Sequence, residues 1–417
     1  MIIQFKCSNH RSIKDEVTFS LAATKDTANN ENYIQFGANN YLRCAEIYGA
    51  NGSGKTTLLN AMQIMTALVQ NSNNHQPGDH IIRAPHKLSK PNEPTSFSII
   101  FTKNNIKYSY GFSYVDDDIT EEYLYYWPGR KKARVFERES NSVYEFAPDY
   151  EKQGTNCEGR LKNNKLLLSC AANETDIKEI SEAFLFFKED LVIYPGAPNN
   201  WFAYSAEQLS LNPAMKLAFV NFMRSIGSDL RDLKIKVEKR PFSQNELPPG
   251  LPIELRSLLL KQGGMTTNIE LKLIYEKFSV DFNEESSGVQ KLFHFLCPLI
   301  DILHSGKIFI CDEIETHLHP SIVSEILKRF CLNRESNGQM ILTTHDTDLL
   351  DLEFVRRDQI WFTELRPDDR STDLYSLSDL KNVRKEENRK KGYISGKYGA
   401  IPILGSSTIN EVKNAER

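Results

Sequence analysis

The chain has 417 residues, with 51 Lys and Arg against 55 Asp and Glu, a net charge of −4. With 40% hydrophobic and 25% charged residues it has the make-up of an ordinary globular protein, long enough for roughly two to three structural units. That balance excludes a polybasic protein that holds nucleic acid by bulk charge, and no apolar run approaches the ~18–20 residues that span a bilayer.

The opening Met1–Cys7 has no basic stretch followed by an apolar one, and the seven scattered cysteines show no CxxC spacing. A cytoplasmic, reduced protein without a zinc site is therefore expected. Alternating apolar residues predict strands at Met1–Lys6 and Val17–Ala22, and a strand Tyr41–Tyr48 runs into a glycine-rich turn. Leu58, Leu59, Met62, Met65, Leu68 and Val69 recur at helical spacing and predict a helix over Thr56–Val69. Ser96–Thr102 and Ile106–Tyr114 read as a hairpin, with Glu122–Tyr126 and Ala133–Glu137 extending its sheet. From about Asn173 to Gly264 the pattern turns helical, over Ile177–Asp190, Ala206–Leu233 and Ile253–Gln262, with breaks at Pro195–Asn199 and Pro241–Pro252. Then come a strand Ile269–Glu276, a helix Gly288–Leu303, a strand Lys307–Cys311, a helix Ser321–Phe330 opened by Pro320, and a strand Met340–Thr344. Such alternation implies a largely parallel sheet with helices packed on it.

The sequence Gly49-Ala50-Asn51-Gly52-Ser53-Gly54-Lys55-Thr56 fits G-x-x-x-x-G-K-[ST] at every fixed position, between an apolar strand and an amphipathic helix. Glycines let successive N–H groups turn inward around a triphosphate, and the helix start adds its positive dipole end. Asn51, Gly52, Ser53, Gly54, Lys55, Thr56 and Thr57 are thus expected to bind ATP, with Lys55 on the β- and γ-phosphates and the Thr56 hydroxyl on Mg²⁺. Ile308–Cys311 carries Asp312 and Glu313 to its carboxyl end, where open α/β sheets bind ligands. Asp312 fits the second Mg²⁺ ligand and Glu313 the residue that polarises the attacking water. His345 ends the next strand, placed to reach the γ-phosphate and that water. Glu285-Ser286-Ser287-Gly288 precedes a helix, and one of its serines could equally be a simple cap.

Phosphate loop, Ser-x-Gly, acidic strand and strand-end histidine stand in the order of the ABC-type ATPases, and the Glu-Ser-Ser-Gly form resembles the SMC and RecF branch. Asp312–Pro320 resembles the Asp-Glu-x-x-x-x-Leu-His-Pro stretch of the stand-alone bacterial ATPases linked to abortive infection, of the RloA and AbiL type. The tail Gly392–Pro402 and the opening Asn9-His10-Arg11-Ser12 resemble the same group. The resemblance implies an α/β P-loop NTPase with an ABC-type ATPase head, an antiparallel β subdomain and a helical insertion. Residues 1–150 would form the N-terminal lobe, 151–268 the mainly helical insertion and 269–417 the C-terminal lobe. It also implies a homodimer, or a higher even-numbered oligomer, in which Ser286 and Gly288 of one copy meet the γ-phosphate held by the other. The family's glutamine loop is not secure, Gln70 and Gln76 being candidates.

From Lys381 to Lys397 seven Lys/Arg stand against two Glu, a local basic stretch through which DNA or RNA could bind, or which is simply a solvated surface. Arg130–Arg134 is a smaller cluster with the same two readings. His317 and His319 are too poorly spaced to argue for a metal. Asp346-x-Asp348 imitates the acidic pair of a Toprim nuclease and is read as part of the turn after the histidine strand. The expectation is an ATPase that switches by dimerising in anti-phage defence and regulates a separate effector, such as a nuclease. The alternatives are a RecF- or SMC-like ATPase acting on DNA and an ATP-bound scaffold with little turnover.

Overall fold

The computed structural model describes residues 1–26, 29, 32–140, 143–157, 159–194, 201–241, 265–333, 335–381, 383–384 and 387–402. The strands are β1 (Ile2–Ser8), β2 (Val17–Ser20), β3 (Tyr33–Phe36), β4 (Asn39–Leu42), β5 (Cys44–Gly49), β6 (Thr95–Lys103), β7 (Ile106–Val115), β8 (Asp118–Trp127), β9 (Ala133–Arg138), β10 (Tyr144–Phe146), β11 (Leu191–Tyr194), β12 (Asp232–Pro241), β13 (Met265–Ile274), β14 (Ser279–Asp281), β15 (Ile308–Cys311), β16 (Gln339–Thr343), β17 (Ile360–Leu365) and β18 (Thr372–Ser376). The helices are α1 (Lys55–Asn71), α2 (Glu151–Gly154), α3 (Leu167–Glu174), α4 (Lys178–Leu185), α5 (Trp201–Leu211), α6 (Pro213–Ser225), α7 (Ser287–Ser305), α8 (Pro320–Cys331) and α9 (Arg389–Ile394).

The chain divides into two units. The first comprises residues 1–194, 306–314 and 326–417, the second 195–305 and 315–325. In the first unit a seven-stranded antiparallel sheet has the order β10-β9-β8-β7-β6-β1-β2. A six-stranded sheet has the order β11-β15-β16-β5-β17-β18, parallel throughout except for the β17–β18 pair. Helix α1 contributes Leu58, Leu59, Met62, Met65, Leu68 and Val69 to a core that also holds Phe5 and Phe97 of the antiparallel sheet and Ala45, Ile47 and Ile341 of the parallel one. Burial of that apolar stripe, worth about 25 cal/mol per Å², holds the helix that the glycine loop opens. A separate cluster packs Tyr48, Phe362, Tyr393 and Tyr398, drawing the chain around α9 onto the parallel sheet.

In the second unit α5, α6 and α7 pack beside a three-stranded sheet β12-β13-β14, with Phe202, Phe219 and Phe282 gathered around Phe293. Here the expected helix Ala206–Leu233 is two helices and the start of a strand. The Asn212 side chain accepts from the N–H groups of Ala214 and Met215, each at 3.1 Å, and Pro213 opens α6, so one helix stops where the next is capped. Gly227 (φ +94) then ends the helical run. Leu233, Ile235 and Val237 alternate with charged residues, and each pairs with an apolar residue of β13. Two further elements depart from the reading. Tyr41–Tyr48 is broken at Arg43 into β4 and β5, and the segment Ile177–Asp190 leaves the α-helix at Leu185 for one π turn that feeds β11. The expected helix Ile253–Gln262 and the break at Pro195–Asn199 lie outside the described residues.

Candidate nucleotide site

Strand β5 is buried along its whole length and ends in the glycine loop. Gly49, Gly52 and Gly54 have φ of 156°, 77° and 113°. At Gly54 a Cβ would also lie 2.2 Å from Thr372 Oγ1, so both conformation and space require glycine there. The loop is held from outside by side chains far along the chain. Ser53 Oγ lies 2.6 Å from Thr363 Oγ1, and the Thr372 hydroxyl lies 3.0 Å from the Ser53 carbonyl and 2.8 Å from Ser12 Oγ. Ser12 in turn donates to Thr57 Oγ1 at 3.1 Å. Lys55 is buried, and its ammonium donates to the carbonyls of Gly49 (2.7 Å) and Ala50 (3.2 Å), across the mouth of the loop. Asn51, Gly52 and Thr56 are exposed.

Two motifs 256 positions apart meet at Thr56, whose hydroxyl donates to Asp312 Oδ2 at 2.9 Å. Asp312 Oδ1 accepts from Thr343 Oγ1 at 2.5 Å, and the same Thr343 oxygen accepts the Glu313 N–H at 2.8 Å. Thr343 therefore ties the end of the acidic strand to the strand that leads to His345. Parallel pairing of β15 with β16 and of β16 with β5 puts these three strand ends side by side. Glu313 (φ +47) and His345 are both exposed at that edge, and a non-glycine residue held at positive φ is a feature that clusters at functional sites. The partners of the Asp312 carboxylate are hydroxyls, not cations, a donor set that suits a divalent ion.

Ser286 and Gly288 belong to the second unit, at the start of α7. Ser286 Oγ accepts from Val289 N–H at 3.3 Å, so it caps the helix. A Cβ on Gly288 would lie 3.0 Å from the His317 carbonyl oxygen, so the His317 turn (φ +63) packs closely on this helix start. His319 Nδ1 accepts from Ser321 N–H at 3.2 Å at the start of α8. Gln70 donates to the Phe187 carbonyl at 2.7 Å and Gln76 to that of Asn74 at 3.2 Å. Asp346 accepts from Asp348 N–H at 2.9 Å, which makes this pair a turn after the histidine strand.

Three supporting residues were assigned no role from the sequence. Thr343, Thr363 and Thr372 reach the site only through strand pairing. Glu46 escaped as well. Fully buried on β5, it accepts from the Tyr48 hydroxyl at 2.8 Å through one oxygen, while the other has no hydrogen-bond partner among the described residues. Burial pushes its carboxyl up to about 7. The Tyr48 hydrogen bond and nearby Arg389 oppose that rise, and Asp346 adds to it.

A family model described as "AAA domain, putative AbiEii toxin, Type IV TA system" matches residues 45–351, well over half of the chain. The chain belongs to this family. It is thus an ATP-binding domain, and the resemblance read from the phosphate loop and Asp312–Pro320 is borne out, while the tail Gly392–Pro402 lies outside the matched residues. No curated protein matches the chain. Among solved structures it is similar to an SMC head bound to the C-winged helix domain of ScpA (13% identity, TM-score 0.45, 90% of this chain and 97% of that one). It is similar also to the SMC head domain from Thermotoga maritima (11%, 0.42, 90% and 98%). A third is the Smc head domain with an extended coiled coil bound to the C-terminal domain of ScpA derived from Pyrococcus furiosus (12%, 0.45, 90% and 96%). Among the described residues no helix is long and apolar enough to cross a membrane.

Proposed function

We propose that the protein binds and hydrolyses ATP at the edge where β5, β15 and β16 end, and that two copies close on two nucleotides. The observation that carries this reading is the Thr56–Asp312 hydrogen bond at 2.9 Å, which joins the phosphate loop to the acidic strand. The N–H groups of the glycine loop and the Lys55 ammonium would hold the phosphates. Mg²⁺ would be held by Thr56 and Asp312 and would neutralise charge on the β- and γ-phosphates. Glu313 orients and deprotonates the attacking water, with His345 beside it. Ser286 and Gly288 of the second copy offer a hydroxyl and a helix N-terminus to the γ-phosphate.

Two outputs are open to such an engine. An SMC- or RecF-like ATPase acting on DNA is supported by an exposed sheet face that carries cations and aromatic rings. Control of a separate effector in abortive infection is supported by the toxin–antitoxin description of the family. Stimulation of ATP turnover by DNA favours the first; turnover indifferent to DNA favours the second. For the site itself, Lys55→Ala should abolish nucleotide binding measured by calorimetry. Glu313→Gln should keep binding while turnover falls at least about 10²-fold. Retained affinity in the first variant, or normal turnover in the second, would overturn the assignment.

A further inference from the structure

Three cations of the basic tail are engaged with their own chain. The Arg389 side chain donates to the Leu350 and Val355 carbonyls, Lys390 pairs with Asp348, and Lys397 pairs with Glu387. A second group of cations stands at one end of the seven-stranded sheet.

Directly opposed residues share a face of a sheet. The register sets Lys107 opposite Trp127, Ser109 opposite Tyr125 and Gly111 opposite Tyr123. The alternate residues Tyr108, Tyr110 and Phe112 are buried on the other face, so Tyr123, Tyr125 and Trp127 stand on the outward one, each partly exposed. Tyr123 and Tyr125 have ring centroids 5.3 Å apart. The hydroxyl end of Tyr123 lies across Gly111, where a Cβ would come within 2.7 Å of it. The Lys107 ammonium sits 4.4 Å over the Trp127 ring and the Lys132 ammonium 3.5 Å over the Tyr125 ring. Arg130, Lys131 and Lys132 are exposed in the turn between β8 and β9, and neither they nor Lys107 form an ion pair with a described carboxylate. The acids nearest this end are already engaged: Arg134 pairs with Glu137 and Glu145, and the Tyr125 hydroxyl donates to Glu137. Further along the same face, a cavity of about 230 Å³ is lined by Tyr123, by Ser96, Ser98 and Ser113, by Glu121, and by Lys6, which pairs with Glu16 at 2.6 Å.

We infer that this face binds single-stranded nucleic acid, with bases stacked on Tyr123, Tyr125 and Trp127 and phosphates neutralised by Lys107, Arg130, Lys131 and Lys132. Rings presented beside cations that carry no carboxylate partner match a strand whose bases are unstacked, the Lys107 and Lys132 ammoniums moving from the ring faces to the phosphates as bases take their place. In a duplex the base faces are covered by their neighbours and cannot reach side-chain rings. The Ser98 and Glu121 side chains at the cavity give the exocyclic amino group of a flanking base hydrogen-bond acceptors. The inference goes beyond ATP turnover and needs no nucleotide.

The test is fluorescence anisotropy of a labelled oligo-dT of about 20 nucleotides with the full chain, without ATP. Affinity should fall steeply with salt. Tyr125→Ala and Trp127→Ala should each weaken binding at least about fivefold, and Tyr125→Phe should retain it. The double variant Lys131→Glu with Lys132→Glu, on exposed positions, should weaken binding about tenfold and flatten the salt dependence. All variants should keep the wild-type thermal unfolding midpoint. Absence of binding by wild type would overturn the inference, as would equal affinity for blunt duplex of the same length or unchanged affinity in the ring and charge variants. Competition by poly-glutamate as strong as by oligo-dT would assign the face to an acidic protein partner instead.

Discussion

Glu46 shows how one buried side chain makes stability depend on pH. Its carboxyl ends up close to neutral pH because burial on β5 disfavours the charged form more than Tyr48 and Arg389 favour it. A carboxyl that titrates near 4.5 unfolded and about 7 folded grips its proton harder in the fold. Its stabilising contribution is complete below the lower value, declines as pH rises through the upper one, and is gone above it. The span corresponds to roughly 3 kcal/mol. Glu46→Gln cannot lose that proton, so its stability relative to wild type should rise by this amount between about pH 4 and pH 8 in urea unfolding. A difference that stays constant with pH would show that the Glu46 pKa does not change on folding.

At the scale of elements, the antiparallel sheet is pinned to α3 by a buried ion pair. Glu122 on β8 and Arg138 on β9 both have fully buried side chains, 3.6 Å apart. Glu122 also accepts the N–H groups of Leu167 (2.5 Å) and Leu168 (2.8 Å) at the start of α3, and the Tyr110 hydroxyl at 3.0 Å. Arg138 donates to the Lys165 carbonyl at 2.7 Å. Glu122→Ala would leave a buried guanidinium without its counter-charge and two helix N–H groups without an acceptor. A loss of about 3–5 kcal/mol in unfolding free energy is expected. A loss below about 1 kcal/mol would mean that water or a shifted carbonyl replaces the carboxylate.

At the scale of the whole molecule, the phosphate loop and the Ser286 helix start lie in different units of one chain. If each site is completed by a second copy, defects in the two can complement. A mixture of Ser286→Arg and Glu313→Gln subunits forms some dimers with one intact site, because the intact Glu313 and the intact Ser286 then meet. Mixing two inactive proteins in equal amounts should restore turnover to about a quarter of wild type if subunits exchange freely. Turnover that stays at the level of the separate variants would rule out sharing.

Local chemistry was enough for the residues that form a contiguous string or a simple period. The glycine loop, the amphipathic α1, the acidic end of β15 and the position of His345 depend on φ freedom, helical spacing and strand burial, which neighbours in sequence determine. Tertiary structure alone decided the remainder. Thr343, Thr363 and Thr372 become partners of the site because parallel pairing lines up strand ends that are far apart in the chain. Glu46 gains its high pKa from what is packed over it. The run Ala206–Leu233 carries apolar residues at helical spacing, yet Leu233 pairs with Leu273 in a sheet. Tyr108, Tyr110 and Phe112 alternate along β7 and are buried, while Tyr123, Tyr125 and Trp127 of β8 face outward. Which of two alternating sets meets water is set by what covers each face, and that is known only once the sheet is packed.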